Sequence, residues 1–186
     1  MSMDKFIEKA LKGDGDSDRH FITLYAMALA SRGKNYVELG VREGHTTEPL
    51  YEAARANGGK LYSVDINRPT EFQPYVNGFL DMNHYEFVQT DSIHFLKEWP
   101  KDEKIDVVFV DDWHSYPHVK KQLELLDQLV GPSSIILLHD LMYGNTEPFY
   151  HADLAHAGKQ WDGGGPYRAV AELNPQFWEW STLPWN

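Results

Sequence analysis

Two short clusters hold the side chains best suited to chemistry in this 186-residue chain: Asp111-Asp112-Trp113-His114 and His139-Asp140. Carboxylate oxygens and imidazole nitrogens are ligands for divalent cations, and an imidazole can also move a proton near neutral pH. Each cluster lies at the end of an apolar run, 105–111 and 133–139, that reads as a buried strand. If those strands are parallel neighbours, both clusters reach one rim of a sheet and can surround a cation. Metal-assisted transfer chemistry is therefore expected, rather than a binding module.

A third strand end, Val37-Glu38-Leu39-Gly40, opens a loop that continues Val41-Arg42-Glu43-Gly44-His45-Thr46-Thr47 into a helix. A dinucleotide fold sets glycines at the first, third and sixth positions, so that the backbone can approach a pyrophosphate. Arg42 occupies the third position here, and its side chain obstructs that approach. Gly40 and Gly44 suit a looser turn around a ligand without a diphosphate. Thr46 and Thr47 at the helix start can donate to a carboxylate, helped by the helix dipole. Glu38 can accept from an ammonium group. Asp65 ends the run 60–66, where an acid can hold ribose hydroxyls or simply close a turn. Asp91 and Ser92 can reach an adenine amino group, or one of them can cap the helix that follows. A ligand with an amino-acid end and a nucleoside end fits this set.

The scaffold that must position these residues alternates helices and strands. Helical patterns cover 4–12, 19–31, 46–56, 91–99 and 115–130, and strand runs cover 35–41, 60–66, 84–90, 105–111 and 133–139. The strands are continuous apolar runs rich in β-branched residues, as expected when helices cover both faces of a parallel sheet. The link 67–83 reads as irregular. The expectation is α/β: one domain, 1–186, with a doubly wound, mostly parallel, Rossmann-like sheet and a shortened C-terminal strand region. Residues 142–165 form a connection long enough to be a lid, and His151, Asp153 and His156 within it can bind a second ion or line a polar surface. A helix at 166–173 and a last strand at 177–183 are expected to close the chain, with Trp178, Trp180 and Trp185 packing the sheet edge or a homodimer contact.

Bulk properties narrow the partners. No apolar run approaches the roughly 18–20 residues that cross a bilayer. The chain has no cysteine, so neither a disulfide frame nor thiolate zinc chemistry is available, and the cytoplasm is the expected compartment. A net charge of −11 disfavours nucleic acid and anionic membranes as partners. A small molecule is the expected partner.

Taken in order, Val37-Glu38-Leu39-Gly40-x-x-x-Gly44-x-Thr46-Thr47, Val64-Asp65-Ile66-Asn67, Asp106-Val-Val-Phe-Val-Asp111-Asp112-Trp113-His114 and the strand ending His139-Asp140 resemble class I S-adenosylmethionine-dependent methyltransferases. Within that class they look like the divalent-metal-dependent O-methyltransferases of the catechol and caffeoyl-CoA type, and the related antibiotic and sugar O-methyltransferases. The resemblance covers roughly residues 20–141. It implies methyl transfer from S-adenosyl-L-methionine to a hydroxyl of a small acceptor, assisted by a divalent metal. Glu38, Gly40, Gly44 and Thr46 would surround the methionine end, Asp65 the ribose, and Asp91 and Ser92 the adenine, with Trp113 against its ring. Asp111, His139 and Asp140 would hold the metal, and His114 stands where that family has a lysine base.

This chain departs from the pattern at His114 and at His139, which replaces an acid. Imidazole suits magnesium less well than carboxylate does, and suits manganese, iron, nickel or zinc better. Magnesium or a transition metal such as manganese thus both remain open. Two other readings are a cofactor- or metal-binding protein with a lost or altered reaction, and a nicotinamide-dependent oxidoreductase. Arg42 and the lack of a substrate domain count against the latter.

Overall fold

The computed structural model describes residues 3–13, 17–68, 80–141 and 165–181. It begins with helix α1 (Met3–Lys12), a 3-10 turn at Asp18–His20 and helix α2 (Phe21–Ala30). Strand β1 (Asn35–Leu39), helix α3 (Thr47–Ala56) and strands β2 (Lys60–Asp65) and β3 (Tyr85–Gln89) follow. Helix α4 (Ser92–Glu98), strand β4 (Ile105–Val110), helix α5 (Tyr116–Leu129), strand β5 (Val130–Leu138) and helix α6 (Gly165–Ala171) complete it.

The five described strands form one parallel sheet in the order β3-β2-β1-β4-β5. The chain winds from β1 through β2 to β3 in one direction and then returns to build β4 and β5 on the other side of β1. Ligands of such sheets settle at the carboxyl ends of the strands where this reversal falls, here between β1 and β4. The fold is Rossmann-like, as the motif order implies.

Strand periodicity sorts the core into two layers. Tyr36, Leu61, Val107 and Phe109 face α2 and α3, packing with Leu24, Ala28, Leu50 and Tyr51. Their neighbours Val37, Leu39, Val64, Val108 and Val110 face α4 and α5, packing with Leu96, Trp99, Leu126 and Leu129. Both faces are dry, so polar residues inside a strand must be satisfied internally. Glu38 and Ser63 are such residues, paired across β1 and β2 and buried completely.

The strand ends are stitched together beyond the regular ladder. Gly40 N donates to Val64 O at 2.9 Å, Asp111 N to Leu39 O at 2.8 Å, and His139 N to Val110 O at 3.0 Å. Each strand thus passes its neighbour a main-chain bond at the rim where the polar residues emerge.

Some expectations need correction. The helix read at 19–31 is a 3-10 turn followed by α2, and β5 starts at Val130 rather than 133. Residues 177–181 form turns and irregular chain, not a strand, and Phe177 lies 79% exposed. An exposed segment has no apolar face to bury against a sixth strand position. Trp178 instead donates to Asp127 on α5 at 3.0 Å, and Trp180 meets Tyr167 of α6 edge-on at 6.4 Å. Trp185, the connection with His151, Asp153 and His156, and most of the link 67–83 fall outside the described residues. No described helix is long and apolar enough to cross a membrane.

Candidate active site

The site has two halves that meet at the β1–β4 boundary. The first is built around Glu38. Its side chain points to the α3 face, where β2 contributes Ser63 at the same register. Thr46 donates to Glu38 Oε1 at 2.7 Å, while Thr47 and Ser63 donate to Oε2 at 2.7 and 2.5 Å. Thr46 occupies the N-cap of α3 but makes no side-chain cap bond. Its hydroxyl goes to Glu38 instead. Burial pushes the Glu38 carboxyl up to about 7, because desolvation outweighs the three hydroxyl donors. The hydroxyls that the sequence offered to a ligand carboxylate are turned inward to this one.

Gly40 and Asp65 shape the loop above it. Gly40 has φ +92°, and a Cβ there would sit 2.2 Å from the main-chain oxygen of Asp111. Only glycine fits that close approach, which is what lets the β1 loop lie directly against the end of β4. Gly44 also has positive φ, 80°, and its N–H donates to Val41 O. Asp65 Oδ2 accepts from the N–H groups of Val41 and Arg42 at 2.9 and 3.2 Å, and Oδ1 accepts from Asn67 N. It therefore holds the loop, with lone pairs left over for a hydroxyl donor. Arg42 extends outward, beside Glu43 at 3.0 Å. Asp91 caps α4 by accepting from His94 N at 3.0 Å.

Ser92 belongs to a different network. Its hydroxyl donates to Asp112 Oδ2 at 2.5 Å, and the same oxygen accepts from Gln122 Nε2 at 2.8 Å and lies 3.0 Å from His118 Nε2. Burial raises the Asp112 carboxyl, but His118, Ser92 and Gln122 more than offset this and hold it below the ordinary aspartate range. This seam pins α4 to α5 beneath the loop that carries Trp113, a residue 46% exposed.

The second half gathers around Asp111. His114 Nε2 lies 3.2 Å from Asp111 Oδ1 and 3.5 Å from Asp140 Oδ2. His139 Nδ1 lies 3.4 Å from Asp111 Oδ1 and 3.2 Å from Asp140 Oδ1. His139 Nδ1 is buried yet makes no directional hydrogen bond, so these are charge contacts. One ligand atom each from Asp111, His139 and Asp140 falls within 4.8 Å of the others. Asp140 adopts φ +55° to turn its carboxylate into the group. Burial alone would raise Asp111, but the two imidazoles hold it below the usual range. Burial likewise works against a charged His139, and Asp111 and Asp140 overcome it, pushing its pKa up to about 10.

Four participants carried no motif in the sequence. Ser63 is signalled only by strand register, being the polar residue opposite Glu38. Gln122 and His118 are spaced one turn apart on α5, a signal that needs the helix face to be known. His20 comes from the turn before α2, and its ring meets that of His139 at 5.4 Å between centroids and 86° between planes. Burial, reinforced by His139, lowers the His20 pKa despite Asp140 and Asp111 nearby.

A parallel sheet whose first loop and fourth strand end build one rim site defines a Rossmann-like domain with its ligand site at the switch point. Residues 37–141 match the profile of a family described as a methyltransferase domain, and the chain belongs to that family. Among solved structures, the SAH-bound methyltransferase PaMTH1 of Podospora anserina superposes with a TM-score of 0.66 at 17% identity, covering 94% of this chain and 81% of that one. The O-methyltransferase TomG of Streptomyces achromogenes, involved in tomaymycin synthesis and solved with SAM, gives 0.66 at 17%, covering 93% and 78%. An O-methyltransferase from Bacillus cereus in complex with SAH gives 0.65 at 14%, covering 92% and 79%. No curated protein sequence matches the chain.

Proposed function

We propose that this methyltransferase moves the methyl group of S-adenosylmethionine to a hydroxyl oxygen of a small acceptor, with a divalent cation held by Asp111, His139 and Asp140. One observation carries the reading: an oxygen–imidazole cluster meets the β1 loop at the switch point of the sheet. Structural neighbours solved with SAM or SAH support the choice of cofactor. A net charge of −11 supports a small acceptor over a nucleic acid.

The residues suit a cation. Three ligand atoms converge, and the buried His139 Nδ1 faces two carboxylate oxygens without a directional bond to either. Two oxygen donors and one nitrogen donor favour manganese, iron, cobalt, nickel or zinc over magnesium. In the loaded enzyme, S-adenosylmethionine supplies an electrophilic methyl group and the cation supplies a Lewis acid that acidifies an acceptor hydroxyl.

The chain's own residues do the rest. Glu38, Gly40, Gly44 and Thr46 build the methionine end, where the completely buried Glu38 acts by fixing the Thr46 and Thr47 hydroxyls. Asp65 offers its remaining lone pairs to the ribose. Trp113 presents a ring face to the adenine beside Asp91 and Ser92. His114 takes the acceptor proton, and Asp111 and Asp140, 3.2 and 3.5 Å from its Nε2, orient the ring and stabilise the imidazolium that results. Holding acceptor, methyl carbon and sulfur in line is the main task, and orientation of this kind is worth roughly 7–11 kcal/mol in well-aligned systems. Asp111→Ala is expected to abolish turnover of a confirmed acceptor while cofactor affinity, read by calorimetry, stays within a few-fold. Unchanged turnover in that variant would remove the metal from the mechanism.

A further inference from the structure

The N-terminal turn brings a third imidazole to the metal side of the site. His20 is far from Asp111 and His139 in sequence, but the core anchors it beside them. Phe21 and Ala28 are completely buried and Leu24 nearly so, seating α2 on the sheet face that carries Phe109 and the partly buried Leu137. The start of α2 consequently sits over the carboxyl ends of β4 and β5. There His20 presents its ring perpendicular to that of His139, which itself lies 6.2 Å from the Phe109 ring.

We propose that His20 supplies a second imidazole nitrogen to the cation held by Asp111, His139 and Asp140, and so fastens the N-terminal turn over the site. The proposal rests on the metal reading above. Its geometric basis is the ring separation. Two imidazoles bound through nitrogens about 2.1 Å from one ion, at a tetrahedral angle, have centroids roughly 5 Å apart. The 5.4 Å between the His20 and His139 centroids matches that spacing, and a turn of the His20 ring brings one of its nitrogens to the three ligand atoms that already lie within 4.8 Å of one another. The ionisable groups around His20 are consistent with it: Asp111 and Asp140 from the ends of β4 and β5, and His139 between them. In its own turn, Asp18 lies 3.7 Å from His45. The resulting donor set is two carboxylates and two imidazoles. Such a set selects transition metals over magnesium. It also leaves His114 for proton transfer.

The test is metal binding, independent of turnover. Metal-free wild type and His20→Ala are titrated with cobalt(II) and with magnesium by calorimetry, with the visible spectrum of the cobalt complex recorded in parallel. Circular dichroism and S-adenosylmethionine affinity confirm that the variant is folded. Wild type should bind cobalt with the intense visible bands of a low-coordinate, nitrogen-rich site. His20→Ala should lose at least about tenfold in cobalt affinity, the scale on which supporting residues of metal sites act, and its bands should weaken. Hydrogen exchange on unmodified protein gives a second readout: cobalt should slow exchange at residues 17–22 as well as near 139–141. Equal cobalt affinity and equal spectra in the two proteins, or protection confined to 139–141, would overturn the role of His20 and leave the metal at Asp111, His139 and Asp140 standing. A wild type that binds neither ion would overturn both.

Discussion

The two halves of the site handle buried carboxylates in opposite ways. Glu38 is surrounded by neutral hydroxyls from Thr46, Thr47 and Ser63, with no cation in the shell among the described residues. Hydroxyl dipoles only partly replace water, so the group holds its proton up to about 7. Asp111 and Asp140 are set against imidazoles, which are ionisable themselves and lie 3.2–3.5 Å away. A hydroxyl shell makes a carboxyl rigid and nearly neutral. An imidazole shell keeps Asp111 charged, and offers nitrogens that can change partner from proton to metal. In the function proposed above, the first half holds the ligand and the second reacts with it.

The boundary between the halves is the first place to break the contrast. Gly40→Ala forces a Cβ into the Asp111 carbonyl at positive φ. We expect a loss of at least about 4 kcal/mol by urea denaturation, or failure to fold, because neither main chain can yield.

The Glu38 shell is tested by pH. Its folded pKa of about 7 stands above the ordinary 4.5, so the folded state binds the proton more tightly than the unfolded chain does. That contribution is complete below pH 4.5 and is lost as pH rises to about 7. At 1.36 kcal/mol per unit the change is about 3 kcal/mol. Glu38→Gln should flatten that part of the stability curve, read as the difference between wild type and variant at pH 5 and pH 8. A parallel pair of curves would deny the raised pKa.

Ser63→Ala sharpens the same point with a smaller effect. Removing one of three donors should destabilise by about 1–2 kcal/mol and push the Glu38 carboxyl still higher, visible by carboxyl infrared absorption. At the far end, Trp178→Phe removes a single bond to Asp127 on an exposed segment. A change within about 0.5 kcal/mol is expected, and a larger one would give the C-terminal segment a packing role that its exposure does not suggest.

How far the sequence reveals this arrangement depends on what each residue's role requires. The strands were legible because β-branched apolar runs such as Val107-Val108-Phe109-Val110 can only be buried on two faces. The positions of the candidate-site acids were legible because Glu38, Asp65, Asp111 and Asp140 each stand at or near the end of such a run. Directions of hydroxyls were not: Thr46 could cap its helix, meet a ligand or meet Glu38, and only the register of Ser63 opposite Glu38 decides among them. His20 was hidden because its position depends on how α2 crosses the sheet. Aromatic content misled at 177–181, where tryptophans and Phe177 resemble a strand in composition but lie at the surface.

The consecutive acids Asp111 and Asp112 leave β4 toward different neighbours, one to the imidazoles at the rim and one to the seam of α4 and α5. Doubling here is not redundancy. Neither carboxylate can stand in for the other, since exchanging them requires turning the chain over by half a pleat. A single deletion between Val110 and Trp113 would thus strip the protein of either its proposed reactive centre or the clamp beneath it, whichever acid was retained.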